Sequence, residues 1–126
     1  MQYKAGDIVF ASEAVKTEKD GQAGEIKNHL YVIIDDDGNI VPADYFGFVV
    51  SSRTEKSKEN SNYKYNEMLY KNSKNNLITD SIVKCDQLLQ IGSNYINKKI
   101  GCVEEEELNT FLNAFEDFLD NNEKGN

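Results

Sequence analysis

One segment alone carries a helical stripe, and it lies near the end of the chain. Leu108, Phe111, Leu112, Phe115 and Leu119 recur at three- and four-residue intervals, the period that gathers apolar side chains on one helix face. Everything before it is patterned for strands. Asp7-Ile8-Val9-Phe10-Ala11 follows Gly6, and His29-Leu30-Tyr31-Val32-Ile33-Ile34 is a β-branched and aromatic run closed by Asp35-Asp36-Asp37-Gly38-Asn39, whose Asp-Gly pair signals a tight turn. Residues 12–28, with two glycines and seven charged side chains, read as a long exposed loop, and loops of that length are uncommon unless functional.

After a turn containing the single proline, Pro42, the run from Tyr45 to Ser52 is a third strand, nearly continuously apolar. Gly47 within it marks a bulge or a close approach of backbones. Tyr63, Tyr65 and Met68-Leu69-Tyr70 indicate a strand returning to the sheet. Ser81 to Cys85 and Gln87 to Ile91 form one long strand or a bent pair, and Tyr95-Ile96 with Lys99-Ile100 supplies the last. With 126 residues and 39% apolar content, the expectation is one mainly β domain with a terminal helix over residues 1–120 and a polar tail over 121–126.

The net charge of −8 argues at first against a nucleic-acid partner, because affinity for phosphates rests on Lys and Arg. Its distribution changes that. Residues 103–126 hold eight acids against Lys124, so −7 of the charge belongs to the terminal segment. Residues 53–74 hold six bases against three acids, and screening confines each patch to about 8–10 Å. Glu104 to Glu107 fall in the first turn of the expected helix, where negative charge suits the helix dipole. The acidic helix should then face away from any bound RNA.

Cys85 and Cys102 are too far apart for a C-x-x-C site and read as reduced, buried thiols. No membrane-length apolar run and no signal-peptide start is present, so a cytoplasmic protein is expected. Walker loops, H-E-x-x-H, zinc-type Cys/His clusters and G-x-S-x-G elbows are all missing from the sequence. No metal or cofactor is expected.

The polar residues at strand ends are the informative ones. His29 opens the second strand, Ser51 and Ser52 close the third, and Arg53 follows. Cleavage of RNA by its own 2′-OH needs a group to take that proton, a group to protonate the leaving oxygen, and donors for the phosphorane's charge. Histidine titrates near neutrality, arginine matches phosphate oxygens with a planar fork, and serine can orient a non-bridging oxygen. A structural histidine and a polar strand exit would give the same residues.

In order along the chain, Gly6-Asp7-Ile8-Val9-Phe10, His29 to Ile34, Val50-Ser51-Ser52, Asp80-Ser81-Ile82-Val83-Lys84-Cys85-Asp86-Gln87-Leu88, Ile91, Lys99-Ile100-Gly101 and the terminal helix resemble the MazF/PemK family of toxin endoribonucleases. The resemblance implies a small SH3-like β-barrel of the MazF/PemK/CcdB type with a C-terminal amphipathic helix. It further implies a homodimer, metal-independent cleavage of single-stranded mRNA, and control by an antitoxin protein. The family's catalytic arginine, in an Arg-Pro pair, is replaced here by His29-Leu30. Its catalytic hydroxyl falls on Ser51, or on Ser52 if the register slips by one, and Arg53 stands next in line to supply the displaced charge.

The resemblance also gives meaning to the lysines. Lys16, Lys19 and Lys27 of the first loop would wall an RNA groove opposite Lys56, Lys58 and Lys64, with bases stacking on Tyr63, Tyr65 or Tyr70. The loss of Arg-Pro leaves a second expectation open, a catalytically weakened or inactive barrel that binds an antitoxin-like peptide or RNA. A third, topoisomerase poisoning of the CcdB kind, rests on fold analogy alone.

Overall fold

The computed structural model describes residues 2–16, 24–59 and 61–124. Seven strands form one sheet: β1 Asp7–Lys16, β2 Glu25–Asp36, β3 Asp44–Ser51, β4 Asn66–Leu69, β5 Ser81–Lys84, β6 Leu89–Gly92 and β7 Ile96–Cys102. The helix α1, Glu105–Lys124, follows. Among the described residues the strands pair antiparallel, and the pairings of β1 with β2, β2 with β3, β3 with β6 and β6 with β1 curl the sheet into a partial ring. The sheet continues from the far half of β3 through β5 to β4, while β7 flanks β1.

Period-2 alternation sorts the side chains onto two faces. On the concave face, Val9, Tyr31, Ile33, Tyr45, Val49, Leu89 and Ile91 fill the ring's interior. On the convex face, Ile8, Val32, Phe48, Val50 and Val83 meet Phe111 and Ala114 of α1. Each fully buried side chain of this size contributes about 1.5–3 kcal/mol. The Phe48 and Phe115 rings lie 5.4 Å apart across this second core. Leu119 is 38% exposed and stands at the margin of the helix's apolar face, where Phe118, stacked on Phe115, takes its place.

Several boundaries differ from the sequence expectation. The first two strands run well into the expected loop, because Glu13 pairs with Lys27 and Ala14 with Ile26. The hairpin thus converts charged residues into a cross-strand ladder. The Ser81 to Ile91 stretch is a bent pair, with β5 and β6 pairing different halves of β3. The helix continues past residue 120 to Lys124. Cys85 is buried and Cys102 only half-buried, and both are free thiols.

Gly47 is a close-approach point. A Cβ there would come within 2.5 Å of the Val32 carbonyl oxygen, beside the register shift between Ile33 and Asp35. Gly101 has the same role against the Lys74 carbonyl, also 2.5 Å from an added Cβ.

Candidate active site

The two strand ends singled out by sequence meet on one face. Tyr31 pairs with Val49 and Leu30 with Val50, so the alternation puts His29 and Ser51 on one face, each one residue past the last pair of the ladder. Both belong to the concave set. His29 stands edge-on to Tyr31, with ring centroids 6.4 Å apart, and Ser51 alternates with Val49 of the interior cluster. Side chains directly opposite in an antiparallel pair have Cβ atoms about 4.5–5.5 Å apart.

Ser52 carries the opposite parity and is exposed. Ser51 is buried, 7% exposed, and its Oγ accepts a hydrogen bond from the Arg53 backbone N–H at 3.2 Å. That bond fixes the hydroxyl in the turn leaving β3. Beneath His29 lies the Tyr31 phenol, fully buried with no hydrogen-bond partner among the described residues, and burial pushes its pKa up to about 12.

Arg53 follows the serines but is tied elsewhere, its Nε 2.6 Å from Glu55 Oε1. That bond, the largest influence on it, raises the guanidinium's already high pKa. Lys27 is likewise occupied, with Nζ 3.1 Å from Glu13 and 3.5 Å from Glu25. Lys16 ends β1 with its stem against Gly24. Lys19 lies outside the described residues.

The other lysines divide between two places. Lys56, whose Nζ stands 5.8 Å from the Tyr63 ring centroid, lies near the Ser51 end. Lys58 and Lys64 line a cavity of about 370 Å³ against α1 with Tyr65, Glu67 and Asp117. There Lys58 pairs with Glu67 at 2.9 Å and Lys64 stands 5.1 Å from the Tyr65 ring centroid. Tyr65 accepts a hydrogen bond from Asn121 Nδ2 at 2.6 Å and packs edge-on to Phe118, so it is committed to the helix. Tyr70 is 62% exposed. Because α1 covers the convex face, its acids lie across the sheet from His29 and Ser51.

Sequence reading passed over Lys84, the last residue of β5. It sits among apolar residues in a strand pattern, and only the pairing of β5 with β3 brings it to this corner. Burial is the main cause of its lowered pKa, followed by the nearby charge of Lys56. Among the described residues, no group of three or more His, Cys, Asp and Glu is arranged to hold a metal.

Residues 4–119 match the family model described as "PemK-like, MazF-like toxin of type II toxin-antitoxin system". The chain belongs to that family. Its fold is similar to that of an endoribonuclease solved in complex with its cognate antitoxin from a mycobacterial species, with a TM-score of 0.60 at 14% identity over 94% of this chain and 95% of that one. No curated protein matches. In this PemK-like, MazF-like toxin, His29 and Ser51 lie by strand alternation on the face that Tyr31 and Val49 share. Among the described residues no helix is long and apolar enough to cross a membrane.

Proposed function

We propose that this toxin-family chain is an endoribonuclease that cleaves single-stranded RNA without a metal and is held in check by an antitoxin protein. The observation that carries the reading is the placement of His29 and Ser51 on the same face one ladder step past Leu30 and Val50. The His29 imidazole takes the proton of a ribose 2′-OH as that oxygen bonds to the adjacent phosphorus. The bond from phosphorus to the 5′-oxygen then breaks, and the leaving oxygen takes a proton from solvent water while the imidazolium returns its own to solvent, giving a 2′,3′-cyclic phosphate and a free 5′-hydroxyl. Ser51 donates its hydroxyl hydrogen to a non-bridging phosphate oxygen where charge develops. The chain neighbours of the pair, Leu30 and Val50, anchor both backbones at the core, which keeps the geometry rigid.

The test is incubation of the purified protein with a long single-stranded RNA in EDTA between pH 5.5 and 8. Discrete products that end in a cyclic phosphate, and are lost in a His29→Ala/Ser51→Ala variant, are expected. Intact RNA throughout, or equal cutting by the variant, would refute the reading.

A second reading, a barrel that binds an antitoxin-like peptide or RNA without cutting it, draws on one observation. The only arginine of the chain is engaged with Glu55, so no guanidinium is free at the corner. Tight binding of a partner peptide by a protein that leaves RNA intact would favour it. Homodimerisation belongs to the same proposal, and sedimentation at micromolar concentration checks it.

A further inference from the structure

β2 reaches His29 through a residue whose backbone leaves the strand conformation. Asn28 has a φ of 52°, in the left-handed region that L side chains rarely enter and that asparagine adopts more readily than most. The other left-handed non-glycine among the described residues, Asn76, lies in a loop. Asn28 stands inside a paired strand, immediately before the imidazole proposed to act as base. The ladder of β1 and β2 joins Ala11 to His29 and Glu13 to Lys27 but passes over Ser12 and Asn28 between them.

The break changes which side chains face inward. In an unbroken strand, alternation would put Glu25, Lys27, His29 and Tyr31 on one face and Ile26 on the other. Instead Ile26 packs against the interior cluster that holds Tyr31, and across the hairpin Ala14 belongs to that cluster together with Ala11, three residues away. Both strands therefore change faces between the pair Ala11 and His29 and the pair Ala14 and Ile26, which is where Asn28 sits. Over the same stretch β1 changes neighbours, from β7 at Ala11 to β6 at Val15. The acids Glu13 and Glu25 thereby leave the face of His29 and meet the Lys27 ammonium at the surface, at 3.1 and 3.5 Å.

We propose that Asn28 is a positioning residue: its left-handed backbone sets the His29 imidazole toward the concave face while turning Glu13 and Glu25 away from it. The assignment rests on the endoribonuclease reading and adds to it a residue that acts only through His29. The Asn28 side chain is exposed, so the position contributes a backbone conformation and not a packing contact. Ile26 and His29, three residues apart, can both face the interior only because the alternation is interrupted between them.

The experiment compares the full chain with Asn28→Gly, Asn28→Ala, Asn28→Val and Asn97→Val, the last placing the same change at an exposed position of β7. Glycine takes the left-handed conformation without steric cost, alanine resists it, and β-branched valine resists it most. Two readings are taken: cleavage of a long single-stranded RNA in EDTA, and the proton NMR signal of the imidazole, which is unique because His29 is the single histidine of the chain. Asn28→Val is expected to lower kcat about a hundredfold, the scale of a misplaced reacting group. Asn28→Gly should cut within about threefold of the parent, with Asn28→Ala between the two and Asn97→Val equal to the parent. The imidazole of the parent and of Asn28→Gly should show a nuclear Overhauser contact with the Tyr31 ring, as their edge-on pairing requires, and Asn28→Val should lose it. A thermal melt checks that each variant folds, and if Asn28→Val does not, Asn28→Ala carries the same comparison.

A Tyr31 contact kept in Asn28→Val overturns the positioning role whatever the cleavage rate, and leaves the endoribonuclease reading standing wherever the parent cuts. Cleavage by Asn28→Val within about twofold of the parent overturns its bearing on the reaction. A loss in Asn28→Gly as deep as in Asn28→Val also overturns it, since the side chain and not the backbone would then matter. If the parent leaves RNA intact, the endoribonuclease reading fails, and the Tyr31 contact alone decides: kept in Asn28→Gly and lost in Asn28→Val, it upholds the setting of His29 by Asn28; kept in both, it overturns that setting.

Discussion

Arg53 Nε lies 2.6 Å from Glu55 Oε1, a pairing made within the turn that follows β3. The guanidinium that directly follows the two serines therefore points its fork along the chain instead of across the concave face. Arg53→Ala should change the rate of RNA cleavage by less than about threefold. A loss as deep as that of Ser51→Ala, measured on the same RNA, would show that Arg53 leaves Glu55 to join the reaction.

The Tyr31 hydroxyl is buried without a partner among the described residues, which costs about 1–3 kcal/mol for such a group. Tyr31→Phe is expected to raise stability in urea by about 1 kcal/mol at pH 7. The pH dependence has a definite sign. The folded phenol holds its proton to about 12 while its ordinary value is 10.0, so above pH 10 the unfolded chain releases a proton that the folded one keeps. Stability falls as pH rises through that window, and Tyr31→Phe should flatten the decline. A variant less stable than the parent at pH 7 would mean the hydroxyl has a partner.

Gly47→Ala forces a methyl to within 2.5 Å of the Val32 carbonyl oxygen. Backbone in the middle of a paired ladder yields little, so a loss of about 1–3 kcal/mol is expected. Gly24→Ala, where the nearest atom is the flexible Lys16 Cδ at 3.1 Å, should cost much less. Equal urea midpoints for the two variants would contradict the close approach of β2 and β3.

At the start of α1, the Glu104 backbone N–H donates to Glu107 Oε1 at 2.8 Å, closing a helix-start loop of the capping-box kind. Glu107→Ala should lower stability by about 0.5–1 kcal/mol, and Glu105→Ala, with no such bond, by less. Denaturation of both variants distinguishes a specific cap from a general effect of acids near the helix dipole.

Much of this was legible in the residues. The alternation of Tyr31, Val32 and Ile33 sets two buried faces, and the Leu108, Phe111 and Phe115 spacing sets a helix to cover one of them. Local periods encode such features because each depends on neighbours close in sequence. The reach of β1 and β2 into the charged segment was not legible, since Glu13 and Lys27 look like loop residues until they stand opposite each other. The committed position of Tyr65 was equally hidden, because its partners Phe118 and Asn121 come from the far end of the chain.

By itself the sequence determined the two-faced sheet, the terminal helix with its acids, and the residue types at the strand ends. Only the tertiary structure separated Ser51 from Ser52, burying the first and exposing the second, because a one-residue difference along a strand reverses the face and the register with β2 decides which face His29 shares. It also decided which cations are spent in ion pairs. An ion pair such as Lys27 with Glu13 depends on distances that strand pairing sets.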